Sequence, residues 1–160
     1  MNSPVNINIP EEAFETHRLS QLNAERENEG KLLFQYARNL HASGLLRRSL
    51  DLFENFLILY PDHPWTFDAL NECAEIYLKF SRTRDAVEYY KQSFRAAHNR
   101  EKGDLAYLQA GKILSDMGEA KEARRIFKEL IELKPASRVA QLAEVELNAI
   151  RFLSETGDDE

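Results

Sequence analysis

The feature that most constrains this chain is an internal repeat. Slid along itself by 37 residues, the segment 32–61 keeps side-chain size in nearly every column. Leu33 falls on Leu70 and Tyr107, Ala37 on Ala74 and Gly111, and Leu40 on Tyr77 and Leu114. Gly44 falls on Ser81 and Gly118, Ser49 on Ala86 and Ala123, Phe53 on Tyr90 and Phe127, and Pro61 on His98 and Pro135. A unit this short cannot bury its apolar face alone, so neighbouring units must stack around one continuous core.

Each unit reads as two helices. In the first, Leu33, Tyr36, Ala37 and Leu40 recur at helical spacing and the pattern stops at Gly44, where glycine accepts a left-handed backbone. The second runs about four turns and ends before proline, which cannot continue a helix. The small residues Ala37, Ala74 and Gly111 fall where paired helices would cross closely, with Ala86 and Ala123 facing them.

The third unit, "DLAYLQAGKILSDMGEAKEARRIFKELIELKP", carries Tyr107, the small pair Ala110-Gly111, Leu114, Ala123, Phe127 and Pro135. It resembles the tetratricopeptide repeat family. The first unit departs from that pattern at Ser49 and the second at Ser81 and His98. The longer junctions, "YPDHPWTFDAL" and "KPASRVAQLAEVEL", resemble a bacterial cell-envelope subtype that includes Tol–Pal coordinators and outer-membrane assembly lipoproteins. The resemblance implies an all-α, right-handed α-solenoid of three helix pairs plus a C-terminal capping helix. Its repeats would span about 30–63, 67–100 and 104–137, with the cap at 138–153, inside a domain of residues 30–155. Residues 1–29 form an N-terminal extension, expected to be disordered and then partly helical, and 154–160 an acidic tail. Glu144, Asn148 and Arg151 take the columns that would face a further helix, and polar residues there suit a solvent-facing cap.

Composition narrows the function. A net charge of −6 argues against nucleic acid, whose binding rests on a basic surface. The single cysteine, Cys73, excludes an internal disulfide or a multi-cysteine metal site. It shares a column with Tyr36 and Ala110, so a buried, inert thiol is expected. The start "MNSPVNINIP" lacks a secretory signal pattern, and no apolar run is long enough to span a membrane, so the expectation is a cytoplasmic protein without direct membrane insertion. His17, His41, His63 and His98 show no metal-ligand spacing, and neither a phosphate loop nor a nucleophile elbow is present. No cofactor, metal or catalytic residue is expected. The stretch "LYPDHPW", with Asp62 beside His63, invites a catalytic reading. The repeat instead puts it at the first junction, where its counterpart carries Ala136-Ser137. Asp62 or His63 could cap the next helix, with Trp65 over the seam between units.

The resemblance implies a protein or peptide partner held in a groove lined by the first helix of each pair. Its columns here are Phe34, Asn71 and Leu108; Arg38, Glu75 and Lys112; His41, Leu78 and Ser115; and Lys31, Asp68 and Leu105. Phe34, Leu78, Leu105 and Leu108 would be apolar anchors on the open side, and the Arg38–Glu75–Lys112 column would orient the partner. In the last helix the columns reach Leu142, Val145, Ala149 and Phe152. Either these extend an apolar groove or the helix rotates to bury them. The clamp with which some members grip a chaperone's C-terminal carboxylate would meet Phe34, Arg38, Leu105 and Gln109, only one of them a cation, which argues against that role. The function expected is a non-enzymatic interaction scaffold. The alternatives are a structural subunit of a bacterial envelope or motility assembly, and self-association, with residues 1–29 docking into the groove of their own or a neighbouring chain, the latter a homo-oligomer.

Overall fold

Seven helices follow one another in the computed structural model, which describes the backbone of residues 11–156. They are α1 (Glu11–Ala42), α2 (Leu46–Leu59), α3 (Thr66–Lys79), α4 (Thr83–Ala96), α5 (Arg100–Asp116), α6 (Ala120–Leu133) and α7 (Arg138–Thr156). The expectations for residues 1–10 and for the end of the acidic tail lie outside the described residues. The second helices keep the sequence period: Leu46, Thr83 and Ala120 open them, and Leu59, Ala96 and Leu133 close them, each 37 residues apart.

The turns inside the pairs share one hydrogen-bond pattern. Leu45, Arg82 and Glu119 donate their backbone N–H to the carbonyls of Leu40, Tyr77 and Leu114, each at 2.9 Å. Gly44, Ser81 and Gly118 donate to His41, Leu78 and Ser115. This double bond pattern satisfies the last helical carbonyls and needs a left-handed residue after the helix. Gly44 and Gly118 supply it at φ 76° and 80°, and Ser81 does so at φ 58°.

Inside the pairs, Ala37, Ala74, Ala86 and Ala123 are fully buried, which lets the helices approach closely. Ser49 keeps that size class, and its buried hydroxyl donates to the Ala37 carbonyl at 2.8 Å. Phe53, Phe56 and Phe127 fill the core. Glu54 on α2 accepts from both Tyr77 on α3 (2.6 Å) and Tyr89 on α4 (2.9 Å), tying the first two units together. Burial and the bond to Glu54 push the Tyr77 phenol up to about 12, so it stays a donor.

Two features depart from the sequence reading. α1 runs through Gly30 without a break and reaches back to Glu11, with the side chains of residues 12–29 exposed. Tyr36, expected in the core beside the Cys73 and Ala110 columns, is 58% exposed. In α3 and α5 that column is covered by the second helix of the preceding unit, and no such helix lies on α1 among the described residues.

Candidate functional site

The odd-numbered helices lie side by side and present one face. Arg38 on α1 reaches Glu72 on α3 (Nε–Oε1, 3.5 Å), and Lys112 on α5 reaches Glu146 on α7 (3.6 Å). Between α1 and α3 a cleft of about 510 Å³ is lined by Phe34, Gln35, Arg38, Trp65, Asp68 and Glu72. Between α3 and α5 a second, of about 280 Å³, is lined by Phe67, Asn71, Lys102, Leu105, Ala106 and Gln109, with Tyr90 of α4. Towards α7 the face turns apolar: Leu105 is 44% exposed, Leu142 40%, Val145 65% and Phe152 66%. Among the described residues no group of three histidine, cysteine, aspartate or glutamate side chains could hold a metal ion. Likewise, no described helix is long and apolar enough to cross a membrane.

The family models described as tetratricopeptide repeat match residues 28–99 and 105–137. The chain belongs to the tetratricopeptide repeat family. Among solved structures it resembles the Arabidopsis OM64 tetratricopeptide domain, at 15% identity over 78% of this chain and 98% of that one, with a TM-score of 0.56. The Yersinia enterocolitica type III secretion chaperone SycD, in complex with a peptide of the translocator YopD, matches at 16% identity over 78% of this chain and 93% of that one, TM-score 0.60. The second such domain of human RPAP3, in complex with an HSP70 peptide, matches at 17% identity over 78% and 98%, TM-score 0.55. No curated protein matches the sequence. These likenesses show the fold, an all-helical tetratricopeptide solenoid.

Along the inner face of this tetratricopeptide array, the residues picked out from sequence divide into three groups. Leu105, Glu75, Lys112 and Arg38 are exposed. Asn71, Leu78 and His41 are half-buried; Asn71 Nδ2 donates to the Phe67 carbonyl (3.1 Å), and Leu78 packs on the core. Phe34 and Leu108 are buried, at 5% and 6% exposure, and are corrected from open anchors to core residues. The Phe34 ring lies 5.4 Å from Phe53, 5.6 Å from Phe56 and 5.0 Å from Trp65, so aromatic neighbours close over it.

Arg38 pairs with Glu72 rather than with Glu75. Glu72 also accepts from His41 Nδ1 at 2.6 Å, while His41 Nε2 lies 2.6 Å from Lys79 Nζ. The ammonium can only donate, so Nε2 is the acceptor and the proton sits on Nδ1, facing Glu72. Sequence reasoning missed Glu72, Lys79 and Glu146. Glu72 stands three residues before Glu75, which is neighbouring spacing on a helix and could have marked it.

At the first junction His63 is buried, and both ring nitrogens are used. Nδ1 accepts from the Trp65 backbone N–H (3.1 Å), so Nε2 carries the proton and donates to the Glu27 carbonyl (3.0 Å). Its ring packs edge-on to Phe56 and Trp65, and Lys31 Nζ lies 5.6 Å from the Trp65 ring centre. Trp65 therefore sits at the α1–α3 seam as expected. Neither Asp62 nor His63 caps α3, whose first residue bonds back to the His63 carbonyl through both Thr66 N (3.0 Å) and Thr66 Oγ1 (2.8 Å). Cys73 is fully buried, and burial, reinforced by Glu54 and Glu72, drives its pKa far upward, away from the reactive thiolate.

Proposed function

We propose that this chain is an interaction scaffold whose inner face takes an extended or helical segment of a partner protein. The observation that carries the reading is the run of exposed Leu105, Leu142, Val145 and Phe152 on α5 and α7, beside the charged Arg38–Glu72–His41–Lys79 cluster on α1 and α3. Apolar anchors supply affinity, and the charged end fixes direction. Packed helices hold the face ready-made, so little ordering cost attaches to binding. The solved structures of SycD and RPAP3, whose own tetratricopeptide domains are in complex with peptides, support the same use of the fold.

Because Phe34 and Leu108 belong to the core, the test falls on Leu105 and Leu142. A random peptide library panned against the intact chain should enrich sequences with two or more large apolar residues. Those peptides should lose roughly tenfold or more in affinity for the Leu105→Glu/Leu142→Glu variant. Peptides that bind the variant as well as the parent would place binding elsewhere and refute this reading.

A further inference from the structure

α7 reveals which positions of a first helix face the preceding unit. It has no second helix of its own among the described residues, yet Val139, Ala140, Ala143, Leu147 and Ile150 are buried, mainly against α6. The columns of Ala143, Leu147 and Ile150 are closed in the earlier units: Ala69, Cys73 and Ile76 on α3, and Ala106, Ala110 and Ile113 on α5. On α1 they fall on Leu32, Tyr36 and Asn39, and all three are exposed, Leu32 at 60%. The two ends of the array differ. At the other end, the columns that would face a further second helix carry exposed Glu144, Asn148 and Arg151. The α1 end carries a leucine and a tyrosine where a sealed end would be polar.

Further up α1 the same line interleaves apolar and charged residues, Arg18, Glu25 and Glu29 among them. At 100° per residue, Phe14 and Leu22 lie within a quarter-turn of the line through Leu32 and Tyr36, and both are exposed. Residues 11–29 hold six glutamates and two arginines, a net −4 out of the chain's −6. Exposed Phe14, Leu22, Leu32 and Tyr36, with Glu25 and Glu29 on the same line between them and a net −4 over residues 11–29, disfavour a like-charged neighbour and favour a cationic one. A helix this exposed also gains little from its own propensity, so a covering partner would stabilise it.

We propose that the outer face of α1 is a second docking surface, separate from the inner groove, and that it takes a basic amphipathic helix of a partner protein. That helix would occupy the place the second helix of a preceding repeat would take. Its leucine-like residues would cover Leu32, Tyr36, Leu22 and Phe14, and its lysines or arginines would meet Glu25 and Glu29 between them.

The probe is a fluorescein-tagged leucine–lysine peptide of about 18 residues with its leucines on one helical face. Its control has the same composition reordered so that no such face forms. Anisotropy is read on the full chain at about 0.15 M salt, where long-range charge attraction is screened. The amphipathic peptide should bind at least about tenfold tighter than the reordered one. Leu32→Glu/Tyr36→Glu, whose circular dichroism should match the parent because both side chains are exposed, should abolish that preference. The groove variant Leu105→Glu/Leu142→Glu should keep it, so this proposal and the groove can fail independently. Equal binding of the two peptides, or binding indifferent to the Leu32/Tyr36 variant, would overturn the proposal. So would a parent that sediments as a dimer and a Leu32/Tyr36 variant that sediments as a monomer, since a second copy would then own the face. Tighter peptide binding after deletion of residues 1–10 would hand the face to that segment instead.

Discussion

Ser81 carries a φ of 58°, in the left-handed region where an L side chain crowds its own carbonyl. Its counterparts at the other two turns are Gly44 and Gly118, with the same pair of backbone bonds around them. The conformation costs serine about 1–2 kcal/mol, and glycine's greater freedom in the unfolded chain returns part of that. Ser81→Gly should therefore stabilise the chain by about 0.5–1 kcal/mol, seen as a higher urea midpoint at unchanged slope. An unchanged or lower midpoint would mean that the hydroxyl gives something back. This column was legible in the sequence because a helix stop depends on one residue's backbone. The inner column was less so. Phe34 and Leu108 are buried, Asn71 is half-buried, and Val145, in the same column, is 65% exposed. A period gives the direction of a side chain around its helix. How far Trp65 and Phe56 reach over Phe34 is set by the sizes of residues on other helices, which no single column reports. Ser49 shows the converse, a departure from the repeat that the Ala37 carbonyl makes harmless.

α1 is the element whose extent the repeat did not give, because its apolar spacing fades before Gly30 while nothing there forbids helix. Tertiary contacts fix its course through the first junction. Gly30 is buried under His63, and a Cβ there would stand 2.8 Å from the ring's Cδ2. Arg26 Nη2 donates to the Leu59 carbonyl at 2.9 Å, and His63 ties the Trp65 N–H to the Glu27 carbonyl. The third junction solves the same place differently, with Asp104 in the Gly30 column and Ser137 in the His63 column. There the buried carboxylate leans on Arg100 (Oδ1–Nε, 3.3 Å), and burial raises its pKa against that pull. His63 is thus a particular lock between α1, the α2–α3 junction and Phe56. His63→Ala leaves a void beside Phe56 and an unbonded Trp65 N–H, so it should cost about 2–4 kcal/mol, read by urea denaturation. A cost near zero would mean that α1 holds its course without the imidazole.

The whole array has two unlike ends, and its stability should follow them. In a stacked repeat protein each element is held by its neighbours alone, so an end contributes what it buries and no more. α7 buries Val139, Leu147 and Ile150 besides Ala140 and Ala143, and it covers the outer side of α6. Full burial of three such side chains is worth about 1.5–3 kcal/mol each before the cost of ordering the helix. At the other end the side chains of residues 12–24 are exposed, and although Asn23 lines a cleft at the first junction their removal uncovers little. A chain lacking residues 138–160 should lose at least about 2 kcal/mol and unfold at a clearly lower urea concentration. A chain lacking residues 1–24 should stay within about 0.5 kcal/mol of the parent. The slope of the transition, which tracks the area exposed on unfolding, should fall for the first deletion and hold for the second. If the N-terminal deletion proves as costly as the C-terminal one, α1 is already covered in solution, and size-exclusion chromatography with light scattering would then tell cover by a second copy, which makes the parent larger than one chain, from cover within the chain.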